Sequence, residues 1–165
     1  MDIDTNPSWS ELSSETLIKA LRSFQEWRKS VLDMRVNDNA GAIHSAERIA
    51  ELLSLKIAYP KLSHINNLRD KEFAWFSKKA KIAYERKETV QIEHVFPKRA
   101  YTVELLSIIS KGTTNEEIAK WIRENFKLAL LTPDERSQLD KENRTKHSHN
   151  RLAGILMCDE PSKPL

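Results

Sequence analysis

The hydrophobic pattern of this chain changes period once, at Glu88, and that change limits the fold more than any other feature. Before it, apolar residues recur at helical spacing. After it, "ETVQIEHVF", residues 88–96, alternates and carries β-branched residues, which reads as a short strand. A helical first half followed by strands gives an α+β fold, mostly helical. Only 3 glycines and 6 prolines stand among 165 residues, which argues against a sandwich of tight turns and suits long helices.

The spacing predicts a helix over 8–34, capped by Ser8 or Ser10, with Leu17, Leu21, Phe24 and Val31 on its buried stripe. "NDNAG", 37–41, is a turn signal, and a second helix follows over about 43–57. A loop surrounds Pro60. A third helix, 68–87, carries Phe73, Phe76, Ala80, Ala83 and Tyr84; Trp75 falls off that stripe and is expected to reach a second surface. Beyond the first strand, Leu105, Ile108 and Ile109 mark a helix ended by Gly112. Thr114 and Glu117 form a capping box opening another helix. "FKLALLT", 126–132, reads as a second strand. Thr132 caps a last helix with Pro133 in its first turn, running to about 142. The expected organisation is a helical region over 1–87, a strand-containing region over 88–157, and a frayed tail over 158–165.

Composition removes several classes. The lone Cys158 excludes an internal disulfide and a multi-cysteine zinc site, with the cytoplasm as default compartment. No basic-then-apolar leader opens the chain, and no apolar run approaches the ~20 residues of a membrane span. No glycine-rich phosphate loop or GxSxG elbow occurs. His44 and His64 lack ligand-spaced neighbours and read as surface or turn histidines. The net charge is only +3, but its distribution is uneven: "NRTKHSHNR", 143–151, contains no acid and is a candidate phosphate contact or a solvated basic loop.

The chemistry-bearing feature is Glu93-His94, a carboxylate beside an imidazole where the first strand ends. Either it is an ordinary polar pair, or Glu93 is a hard oxygen ligand for magnesium or manganese and His94 takes a proton from an attacking water. In the second case the loop has to turn both side chains inward. "IEHVFPK" followed by "NFKLALLTPDERSQLDK" resembles the HNH, or ββα-metal, endonuclease family. The resemblance covers about residues 88–151 and implies a ββα-metal-like core with a helical insertion. It assigns Glu93 to the metal, His94 as general base and Asn125 as the residue that orients it.

The family carries a second metal ligand about one turn into the final helix. Here Glu135, Arg136 and Ser137 stand there. Glu135 fits with a one-residue shift in register, and Asp140 and Asn143 are the further candidates; an arginine at 136 can replace the metal's charge and contact phosphate itself. Lys98, Arg99, Lys141, Arg144, Lys146, His147 and Arg151 are the expected nucleic-acid contacts. The resemblance implies a metal-dependent endonuclease acting on DNA, in restriction, phage defence or a toxin system. The N-terminal helices would bind substrate, a partner protein or a second copy. Its alternatives are a metal-free relative that binds nucleic acid or a protein, and a helical immunity- or antitoxin-like protein in which Glu93-His94 is coincidence. Antiparallel pairing of 90–95 with 127–132 separates the first two from the third.

Overall fold

In the computed structural model, which describes residues 6–39, 41–143 and 151–162, the fold is α+β and mostly helical. After a 3-10 turn at Trp9–Glu11 come α1 (Ser14–Asp33) and α2 (Ala42–Ala58), then a 3-10 helix at Ile65–Asp70 and α3 (Lys78–Glu85). The second half runs β1 (Gln91–His94), α4 (Lys98–Ser110), α5 (Asn115–Asn125), β2 (Leu128–Leu131) and α6 (Pro133–Asn143).

Local chemistry accounts for the boundaries. Ser13 Oγ accepts from the Thr16 amide to start α1. The Asp38 carboxylate accepts from the Ile43 amide at 3.1 Å and starts α2 from outside the helix. Gly112, at φ +71°, follows α4 in the left-handed region that glycine adopts without strain. Thr114 and Glu117 form the expected reciprocal cap on α5.

The apolar stripes of α1, α2, α4 and α5 meet in one core that runs from Leu17 through Leu53 and Leu105 to Leu130, so residues on both sides of Glu88 share a single hydrophobic centre. β1 and β2 pair antiparallel, with Gln91 opposite Leu131, Ile92 opposite Leu130, Glu93 opposite Ala129 and His94 opposite Leu128. Since opposed residues share a face, Ile92, His94, Leu128 and Leu130 look toward the main core. Gln91, Glu93, Ala129 and Leu131 look the other way, where Leu139 of α6 and Leu152 close a smaller cluster.

Two expectations are corrected. The helix over 68–87 divides, and residues 75–77 lie extended beside β2: the Leu130 amide donates to the Trp75 carbonyl at 2.7 Å, and the Ser77 amide donates to the Leu130 carbonyl at 2.9 Å. Neighbouring side chains there leave on opposite sides, with Phe76 in the main core and Trp75 against the smaller cluster. The tail is also docked rather than frayed as far as Glu160. The Cys158 amide donates to the Phe76 carbonyl, Trp75 Nε1 donates to the Cys158 carbonyl at 2.8 Å, and Glu160 pairs with Lys127. Among the described residues no helix is long and apolar enough to cross a membrane.

Candidate functional site

Glu93 and His94 do not turn into one pocket. Both belong to β1, so their side chains leave on opposite faces, and each meets its own partners.

On the α6 face, Glu93 is buried and flanked by two guanidiniums. Arg136 Nε lies 3.1 Å from one carboxylate oxygen and Arg151 Nε 3.0 Å from the other. Arg151 also pairs with Asp140, so one guanidinium stands between two carboxylates that the HNH resemblance would give to a metal. Burial pushes the Glu93 carboxyl above its ordinary range, and the charges of Arg151 and Arg136 pull it back only in part.

Glu135 is engaged elsewhere. Its carboxylate accepts from the Thr132 amide at 3.0 Å and from the Ser77 hydroxyl at 2.7 Å, while the Glu135 amide donates to Thr132 Oγ1. It is the inner half of the cap on α6. This donor set does not suit a divalent cation: the oxygens of Glu93 and Asp140 face arginines, and Glu135 is bound into a helix terminus. Among the described residues no three His, Cys, Asp or Glu side chains gather at one point. Asn143 and Lys141 close α6 with side chains outside the described set, and Arg144, Lys146 and His147 lie outside the described residues.

On the core face, His94 Nε2 lies 2.8 Å from Glu51 Oε1 of α2. Burial raises the Glu51 carboxyl, but the hydrogen bond and charge of His94, with Lys98, outweigh it and hold it down at about 2. An ionised Glu51 only accepts, so Nε2 carries the proton of this bond, and a neutral ring keeps its lone pair on Nδ1. The imidazole edge also packs on Phe126 at 5.9 Å. Asn125, expected to orient His94, instead donates from Nδ2 to the Trp121 carbonyl and finishes α5.

Lys98 and Arg99, expected as phosphate contacts, reach back to α2. Lys98 Nζ is 3.2 Å from Glu51, and Arg99 pairs with Glu47. Glu51 is the residue that sequence reasoning missed. Two signals pointed to it: Glu47 and Glu51 are like charges at i,i+4 on α2, and Lys98-Arg99 place cations at the positive end of α4. Each arrangement is unfavourable alone, and together they neutralise one another.

Alongside β1 lies a groove of about 330 Å³ whose wall includes Arg69, Gln91, His94 and Arg136. Arg136 therefore serves both Glu93 and this groove, and its Nη1 lies 3.4 Å from the Gln91 side-chain oxygen. Arg69, from the 3-10 helix, was also missed, since neither its spacing nor its local charge marked it. No family model, curated protein or solved structure matches this chain.

Proposed function

We propose that this chain is a metal-free, ββα-like nucleic-acid-binding protein, in which arginines hold the position that a metal holds in the HNH nucleases it resembles. The observation that carries this reading is the guanidinium of Arg151 between Glu93 and Asp140, with Arg136 on the other Glu93 oxygen. A guanidinium supplies fixed positive charge and planar N–H donors without the geometry a cation demands. The antiparallel pairing of β1 with β2 and the packing of α6 over β1 support the ββα part of the reading. Its ligand is a nucleic acid, DNA before RNA. A protein partner or second copy belongs to the same picture, supported by the exposed Trp27, Leu32, Met34 and Val36 at the end of α1 and just beyond it.

The second reading is the metal-dependent endonuclease itself. It is favoured by one observation, the carboxylate of Glu51 on His94, since a base that draws a proton from water works best when a second group fixes its tautomer. It requires Glu93 to exchange two arginines for a cation. The test is gel-shift and cleavage of labelled DNA and RNA in EDTA, magnesium and manganese. Binding that persists in EDTA without cleavage in any metal supports the first reading. Metal-dependent cleavage lost in His94→Ala establishes the second. Neither binding nor cleavage by folded protein sinks both.

A further inference from the structure

The groove beside β1 has a wall of unusual composition. Arg69 and Arg136 supply two permanent cations, and His94 a third when protonated. Asn66 and Gln91, with Ile65 and Ile92, also line it, and among the described residues no carboxylate does. The carboxylates nearest its cations stand behind the wall, Glu93 on Arg136 and Glu51 on His94, while Glu85 and Glu88 line the adjoining groove that shares Arg69. A concave surface with clustered guanidiniums and no acid raises the local potential for anions.

Arg69 adds a second, independent observation. Its Nε is buried and has no hydrogen-bond partner among the described residues. A buried donor without an acceptor is costly, and such groups are rare in native proteins. Arg69 lines the groove while its Nε is shielded from solvent, so an entering anion would be met by the remaining N–H donors of the guanidinium. Arg136 is already oriented from behind by Glu93 and lies beside Gln91, which limits the freedom it loses when an anion arrives. Phosphate oxygens match a guanidinium fork, and amides beside apolar side chains suit the sugar and base that adjoin a phosphodiester. The volume of about 330 Å³ is of the size that takes one such unit.

We propose that this groove, held by Arg69 and Arg136 with His94 and Gln91, is a phosphate subsite for a nucleic-acid strand. It rests on the binding function proposed above and narrows it to one site and one chemical group. Arg69 comes from the helical first half, so the subsite is built jointly by the two halves of the chain.

The experiment uses the full chain with short fluorescein-labelled DNA and RNA strands, read by anisotropy over a salt series, for wild type, Arg69→Gln and Lys111→Gln. Lys111 removes the same charge and lines no part of the groove. In parallel, the arginine Nε–H NMR signals of the wild type are followed during titration with inorganic phosphate and with the unlabelled strand. That readout needs no variant and serves if Arg69→Gln fails to fold.

The expected result is an affinity loss of about tenfold in Arg69→Gln, with the log-log salt slope smaller by about 0.7, and little change in Lys111→Gln. The Arg69 signal should move with the strand. If the strand binds wild type and Arg69→Gln alike and the Arg69 signal stays still, the subsite is refuted while nucleic-acid binding stands. If phosphate moves Arg69 but no strand binds, the groove takes a small phosphate compound and both the strand subsite and the binding function are overturned. If neither ligand has an effect, both proposals fall together.

Discussion

Replacing Glu51 by glutamine removes one charge from a half-buried triad with His94 and Lys98 and changes little in size. The carboxyl titrates ordinarily at 4.5 and is held at about 2 in the fold, because His94 and Lys98 outweigh the cost of burial. A difference of this size corresponds to about 3 kcal/mol favouring the ionised form in the folded protein. The folded pKa is depressed, so the stabilisation is complete above the unfolded value and is lost as pH falls from about 4.5 toward 2. Near pH 3 about 2 kcal/mol of it has gone. Urea denaturation of wild type and Glu51→Gln should therefore differ by about 3 kcal/mol near pH 7 and only by about 1 kcal/mol near pH 3. Glutamine mimics the protonated acid, which is why the two proteins converge. A variant as stable as wild type near neutrality, or a gap that stays constant into acid, would refute the claim that His94 and Lys98 stabilise this carboxylate.

Further tests address the other parts of the molecule. Arg151→Met leaves Glu93 buried against Arg136 alone and should cost about 2 kcal/mol; adding Glu93→Gln should recover more than half, as a double-mutant cycle in urea would show. A Cβ at Gly41 would stand 2.5 Å from Asp38 Oδ1, a carboxylate held by the Ile43 amide and Arg28, so Gly41→Ala should lower stability by about 1–3 kcal/mol and shift the melting temperature downward. Trp75→Phe loses the hydrogen bond to the Cys158 carbonyl, and hydrogen exchange should quicken over the segment around 155–160 while α1 and α2 stay protected.

Much of the fold was legible because it follows from local rules. The stripes of α1 and α2, the capping box on α5 and the Thr132-Pro133 start of α6 all came from spacing and cap chemistry. The first strand came from alternation, and both strands sit inside their expected ranges. Residues 75–77 escaped because a three-residue extended piece has too few positions to display a period, and Phe73, Phe76, Ala80 and Ala83 imitate a helical stripe. Docking of the tail escaped because its contacts to Phe76 and Trp75 are made through backbone groups, which no side-chain pattern announces.

The candidate site was legible in its residue types and not in its partners. The sequence by itself determined that Glu93 and His94 adjoin at a strand, that Arg136 stands one turn into α6, and that strand, insertion, strand and helix follow in that order. Adjacent residues of a strand face opposite ways, so the separation of Glu93 from His94 followed once both lay inside β1 rather than beyond it. Which groups meet them was decided only in three dimensions. Glu51 is 43 residues from His94 in sequence, and Arg151 is separated from Glu93 by two helices, a strand and α6. Charge complementarity over such separations depends on how whole helices pack, and packing is set by the sum of many apolar contacts rather than by any local motif.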